Sequence, residues 1–125
     1  MTTPPAFDAV VDPARNLVRT RFAGNFTAAA MQAVALKVEA LLSQLKPGFS
    51  VFADFSQVAA MDLDCARPLA HIMDLCRAHE VGLIVRMLPA RERDIGINLL
   101  SIVHYRGQVT TVTVDTLAEA ERALG

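Results

Sequence analysis

Three aspartates near the middle of the chain could form a carboxylate site. Asp54 stands at the end of a short apolar run, and Asp62 and Asp64 come just before a helical pattern. Carboxylate oxygens are the ligands that Mg²⁺ prefers, and three on one rim would hold the ion with several waters retained. The alternative is that Asp62 or Asp64 caps the helix and Asp54 hydrogen-bonds the neighbouring loop. Because an Asp-x-Asp pair is a weak motif, we expect the structural role and no metal site.

Cys65 follows these aspartates, where a helix N-terminus could lower the pKa of its thiol and make it a nucleophile. The Cys-x5-Arg loop of a phosphatase is absent, since position 71 is His71. Cys76 lies eleven positions further on the same predicted helix. That spacing places the two cysteines roughly 16 Å apart, too far for a disulfide. We therefore expect two reduced structural cysteines, as in a cytoplasmic protein.

Arginines form the clearest candidate for a small-ligand site. Arg86 comes near the end of a predicted strand, and Arg91 and Arg93 open the next predicted helix. Their guanidinium groups could converge on a phosphate or a carboxylate, which makes these three a possible anion-binding site. The alternative is a solvated loop whose arginines pair with Glu92 and Asp94.

Other catalytic patterns are missing from the sequence. The three histidines lack metal-ligand spacing, and no Ser-His-Asp order, phosphate-binding loop or dinucleotide fingerprint occurs. We predict that the chain is not an enzyme, has no catalytic residues and needs no cofactor. A net charge of −1 with scattered arginines also argues against a nucleic-acid partner.

The composition predicts one domain over residues 1–125. No stretch approaches the roughly 18 apolar residues of a membrane span, and the start of the chain lacks a signal peptide, so we expect a cytoplasmic location. A hydrophobic content of 53% is on the apolar side for this length. It favours a homodimer that covers sheet surface not reached by the helices.

Hydrophobic periodicity predicts the element order β-β-α-β-α-β-α-β-α. The predicted strands cover 7–11, 17–22, 51–55, 82–88 and 109–114. The predicted helices cover 27–46, a segment that starts between 64 and 68 and ends near 80, a segment from 91 to about 105, and 116–124. Alternation of helix and strand implies parallel strands with right-handed crossovers, and the opening hairpin adds an antiparallel strand. We predict an α/β fold with a mixed, mostly parallel sheet of about five strands and helices mainly on one face. Such sheets place their sites at the carboxyl ends of the strands, which points to the segment after residue 55.

The same segment resembles a known motif. Asp54-Phe55-Ser56, followed by Met61-Asp62-Leu63-Asp64-Cys65, is similar to the Asp-Leu-Ser…Met-Asp-Ser-Ser-Gly pattern of STAS domains. These are the anti-sigma-factor antagonists and the cytoplasmic domains of sulfate transporters. The resemblance implies a STAS-like sandwich and a non-enzymatic regulatory module. It also implies a protein partner, such as a kinase-like regulator, that binds at the matching positions: Asp54, Ser56, Asp62, Leu63, Asp64 and Cys65.

The chain departs from this motif where the family is phosphorylated. Leu63 occupies the position of the phosphate-accepting Ser or Thr, Asp64 follows it, and Cys65 replaces the usual Gly. We therefore expect no phosphorylation switch. A second hypothesis stays open: a domain that binds a small apolar or anionic ligand, in the manner of the lipid-transfer domains whose fold is related.

Overall fold

The computed structural model describes residues 3–88 and 109–125, and in these ranges it contains five strands and three helices. The strands are β1 (Ala6–Asp12), β2 (Leu17–Phe26), β3 (Ser50–Met61), β4 (Leu83–Met87) and β5 (Thr110–Val114). The helices are α1 (Ala28–Leu42), α2 (Ala66–Ala78) and α3 (Leu117–Leu124). The helix predicted over 91–105 lies outside the described residues.

The five strands form one sheet in the order β1-β2-β3-β4-β5. β1 and β2 are an antiparallel hairpin, and the pairs β2–β3, β3–β4 and β4–β5 are parallel. This confirms the predicted mixed, mostly parallel sheet. The helices and strands that the periodicity predicted are the ones that form in the described ranges, and the differences are in their lengths.

Helices α1 and α2 pack side by side on one face of the sheet and bury the larger part of the core. The 3.6-residue repeat of α1 explains its orientation, since its apolar stripe faces inward. The buried residues of that stripe are Met31, Val34, Ala35, Val38 and Leu42. The side chain of Thr27 accepts the N–H of Ala30 and caps the helix, as predicted.

Helix α3 lies on the opposite face, over a smaller core that includes Phe52 and Val85. The predicted capping residue Thr116 accepts the N–H of Glu119. The helix is also held by a two-pronged ion pair, in which Arg19 of β2 donates to Glu121 at 2.6 and 3.1 Å. Both carboxylate oxygens of Glu121 accept from the guanidinium of Arg19, so the ion pair fixes the relative orientation of the two side chains as well as their separation.

Strands β2 and β3 run further than the sequence indicates, which corrects two predictions. Gly24 and Asn25 do not end β2, and Phe55 does not end β3. The register shifts twice, once between Arg21 and Ala23 and once between Gly24 and Asn25, and each shift places one extra residue in β3. The strands therefore continue through two β-bulges. Gly24 adopts a positive φ of 83° here, and a Cβ at this position would collide with the carbonyl oxygen of Pro4.

In the described parts of the chain, no helix is both long and apolar enough to cross a membrane.

Candidate functional site

The candidate site is the turn between β3 and α2, and the main chain of β2 holds it in place. The carbonyl of Phe26, at the end of β2, accepts the N–H of Asp62 at 3.0 Å. The same carbonyl accepts the thiol of Cys65 at 3.4 Å. A short 3₁₀ turn over Leu63–Cys65 then leads directly into α2. The turn is thus fixed from its inner side, while its outer side is presented to solvent.

Leu63 is the most conspicuous side chain of this turn, because 91% of its surface is exposed. Asp62 and Asp64 on either side of it are exposed as well. We call residues 62–64 the acidic-leucine turn. This large apolar side chain lies in water between two carboxylates and contributes nothing to the core.

The predicted helix cap at this turn does not form. Asp62 precedes the 3₁₀ turn but its side chain makes no capping hydrogen bond, and Cys65 stands at the position before α2. The reason is that the 3₁₀ turn intervenes between the strand and α2 and moves both carboxylates off the capping position. The charges of Asp62 and Asp64 remain directed to solvent.

The thiol of Cys65 is not activated by its position near a helix start. Burial raises its pKa, the nearby carboxylates of Asp62 and Asp64 raise it further, and the hydrogen bond from the Asp62 backbone lowers it in part. Cys65 and Cys76 are both free and buried. This environment supports the structural role expected for Cys65 over a nucleophilic one.

Asp54 and Ser56 lie elsewhere in the structure, in the interior of β3 rather than at its end. Asp54 Oδ1 accepts the backbone N–H of Ser56 at 2.8 Å, beside the first bulge. Asp62 follows Asp54 by eight positions of extended chain, which corresponds to about 25 Å along the strand. The structure therefore does not bring Asp54 and Ser56 to the acidic-leucine turn, and the three aspartates do not share one rim. Within residues 3–88 and 109–125, no group of three His, Cys, Asp or Glu side chains could hold a metal ion.

Arg86 lies near the end of its strand, where the sequence placed it, and its side chain is buried. It is only 8% exposed, in β4 next to the central strand, and its Nη2 donates to Thr113 Oγ1 of β5 at 2.8 Å. Its neighbours Val85 and Met87 belong to the core on the other face of the sheet. Arg91 and Arg93 lie outside the described residues, so the proposed anion site remains a prediction that rests on those two positions.

A surface groove that the sequence did not reveal runs between α1 and α2, next to the acidic-leucine turn. Its volume is about 450 Å³, and it is lined from α1 by residues that include Leu36 and Glu39 and from α2 by Arg67, Pro68 and His71. Leu36 is 71% exposed. The sequence did contain a signal, because Leu36 is an apolar residue on the otherwise polar face of an amphipathic helix.

Comparison with solved structures identifies the fold. An anti-sigma factor antagonist from Mycobacterium paratuberculosis matches with a TM-score of 0.64 and 17% sequence identity, over 99% of this chain and 98% of that one. The anti-sigma factor antagonist SpoIIAA in its unphosphorylated form matches with a TM-score of 0.64 and 14% identity, over 96% and 99% of the two chains. This chain has the SpoIIAA-like fold.

A third match is to a protein of the DUF3478 family from Shewanella loihica PV-4 that is described as having a SpoIIAA-like fold. Its TM-score is 0.63 at 10% identity, over 100% of this chain and 98% of that one. No protein-family model matches the sequence. No curated protein matches it either. At this level of identity the shared property is the SpoIIAA-like fold, and the predicted resemblance is confirmed at that level.

Proposed function

We propose that the chain is a non-enzymatic regulatory module that binds a protein partner through the acidic-leucine turn. The observation that carries this proposal is the exposure of Leu63 between two exposed carboxylates. Interfaces typically depend on a few large side chains that enter pockets, while charges at the rim set specificity and the rate of association. The groove between α1 and α2 extends the same surface and adds Leu36 as a second apolar contact.

The partner's chemistry follows from this surface. It should offer an apolar pocket for Leu63, with Lys or Arg side chains placed to meet Asp62 and Asp64. Two solved structures with this fold are described as anti-sigma factor antagonists. This similarity supports a regulatory protein as the partner. A kinase-like regulator is our candidate.

Binding would not be switched by phosphorylation of this turn. From residue 60 to residue 66 the sequence contains no hydroxyl-bearing side chain. Asp64 instead supplies a permanent negative charge next to the position where STAS domains acquire one. The module would therefore be constitutively competent to bind, and control would come from the amount or the state of its partner.

Two further properties belong to this proposal. We infer a homodimer, because the composition is apolar for this length and the outer strand β1 exposes Val10. The two free and buried cysteines support a cytoplasmic location, where thiols stay reduced.

The test compares three variants of the exposed residues in one binding assay. The tagged protein would first capture partners from cells of its source, and each candidate would then be purified and titrated by calorimetry. We expect Leu63→Ala to weaken binding at least tenfold, which corresponds to about 1.4 kcal/mol, and Asp64→Asn to weaken it by a smaller factor. Leu117→Ala is the matched control, since Leu117 is also an exposed leucine but lies on α3.

All three variants should melt like the parent protein, because each change affects an exposed side chain. A partner that binds Leu63→Ala as tightly as the parent, or that loses affinity equally with Leu117→Ala, would show that the acidic-leucine turn is not the docking site.

A further inference from the structure

A cavity of about 90 Å³ lies between the sheet and the pair of helices α1 and α2. The sheet side of its wall includes Thr20 of β2, Ala53 of β3 and Ile84 of β4. The helix side includes Leu42 of α1 and Met73 of α2. The cavity therefore lies within the larger core and is separate from the surface groove between α1 and α2.

One of the residues that line the cavity is a small residue at the centre of the sheet. Ala53 lies on the central strand between Val51 and Phe55, which face the same helices. Its side chain ends at Cβ, so the space that a larger residue would fill stays open beneath α2. Packed interiors rarely contain voids larger than one water molecule, which makes a space of this size a notable exception.

The wall of the cavity is apolar. Thr20 contributes a hydroxyl, but that hydroxyl donates to the carbonyl oxygen of Phe52 at 3.0 Å and is directed to the backbone. Arg86 contributes the one charged side chain among the lining residues, and its Nη2 donates to Thr113. A buried water needs two to four polar partners, and cavities lined by Leu, Ile and Phe stay dry and take up apolar molecules.

Every residue that lines the cavity except Leu41 is buried. A charged group held against this mostly apolar wall would lose its hydration, at a large cost in free energy. The wall therefore favours an uncharged occupant.

We propose that this cavity is a binding site for a compact, uncharged, apolar molecule of about three to five non-hydrogen atoms. The size follows from the volume, because 90 Å³ is smaller than the roughly 150 Å³ of a cavity that accommodates benzene. The proposal is independent of partner binding, although Leu69, Ile72 and Met73 place the cavity against the helix that begins at the acidic-leucine turn. An occupant would hold α2 more firmly against the sheet.

The experiment uses xenon and cyclopropane as probes of the full chain. Carbon-13 NMR of the Met73 and Ile72 methyl groups reports on the cavity directly, and the thermal midpoint reports on binding to the folded state. We expect both probes to shift the Met73 methyl signal and cyclopropane to raise Tm by at least about 2 °C at saturation. Propanoate, which has the same number of carbon atoms but carries a charged carboxylate, should produce neither effect.

Variants that fill the cavity complete the test. Ala53→Val should fold and lose both responses, and Cys76→Met fills the same space from α2 if Ala53→Val does not fold. Val114→Ala is the control, because Val114 is buried in the core on the opposite face and should leave the responses intact. No methyl shift with either probe in the parent protein would overturn the proposal. Equal shifts in the filled variants would do the same, and binding of propanoate as tight as that of cyclopropane would overturn the uncharged class.

Discussion

The two thiols show how burial sets the chemistry of single residues in this protein. Burial raises the pKa of Cys76 from its ordinary value of 9.0 to about 12. The pKa of Cys65 is raised too, first by burial and then by the charges of Asp62 and Asp64. Because the thiolate is the reactive form, the raised pKa values favour a structural role for both residues. This supports the non-enzymatic function proposed above.

The raised pKa of Cys76 makes stability depend on alkaline pH. The folded pKa lies above the unfolded value, so the neutral thiol contributes stability that is fully present below about pH 9 and is lost as pH rises towards about 12. Replacement by Ala removes this dependence. At about pH 8 we expect a larger free energy of unfolding for the parent protein than for Cys76→Ala. Above about pH 9 this difference should shrink by up to about 1.4 kcal/mol per pH unit. Urea melts of both proteins at several pH values measure this, and a difference that stays constant would contradict it.

Residue types and spacing predicted part of the candidate site. The resemblance selected Asp62, Leu63 and Asp64, and the structure places all three side by side at the surface. Their exposure could not be predicted, because a leucine after a strand is as compatible with a core position as with a surface one. The burial of Arg86 could not be predicted for a related reason: apolar residues flank it on both sides, and that pattern fits a buried arginine as well as an exposed one.

At the scale of elements, strand β3 shows how pairing can override local preference. Its second half contains Ser56, Gln57 and two alanines, which have low β-propensity, and so the sequence indicates an early end. Pairing with the extended β2 keeps the segment in the sheet through two bulges. The carboxylate of Asp54 accepts the N–H of Ser56 next to the first bulge, where the ladder is interrupted.

Asp54 should therefore contribute to stability as a hydrogen-bond acceptor. Asp54→Ala leaves the half-buried N–H of Ser56 without its side-chain acceptor, and we expect a loss of about 1 kcal/mol, at the low end for such groups. Asp54→Asn keeps an oxygen at the same place and should lose less than about 0.5 kcal/mol. Urea melts measure both values.

Asp62→Ala is the control for these melts, since the Asp62 side chain forms no cap and is exposed. It should change stability by less than about 0.5 kcal/mol, whereas a true N-cap would cost about 0.5–2 kcal/mol. Equal losses in Asp54→Ala and Asp62→Ala would contradict this account of the bulge.

For the whole molecule, the alternation of helices and strands was enough to predict the mixed sheet, because parallel strands require crossover helices. The same pattern could not predict that Arg19 and Glu121, far apart in sequence, would join α3 to β2 across the second face. It could not predict the cavity either, since a void depends on how side chains from five elements meet around Ala53. Local periodicity determines the elements, and long-range packing determines what lies between them.

The outer edge of the sheet leads to a prediction about assembly. β1 is the first strand in the sheet order and pairs with β2 on its inner side, and no other strand in the described residues pairs with it. Its outer edge presents backbone donors and acceptors that a second strand could satisfy. Val10 on this strand is 64% exposed, which would place an apolar side chain at such a contact. A two-fold axis beside β1 would pair it with its own copy and bury Val10 of both chains.

We therefore expect a homodimer, with a mass by light scattering of twice 13.5 kDa at tens of micromolar. Val10→Lys should shift this mass towards the monomer, because it places like charges opposite each other across the axis. Leu36→Lys is the control: Leu36 is also an exposed apolar residue, but it lies on α1, so the mass should stay dimeric. Melts of both variants near that of the parent would show that neither change acts through unfolding. A mass of 13.5 kDa for the parent protein would rule out the dimer, and a Val10→Lys variant that stays dimeric would place the contact away from β1.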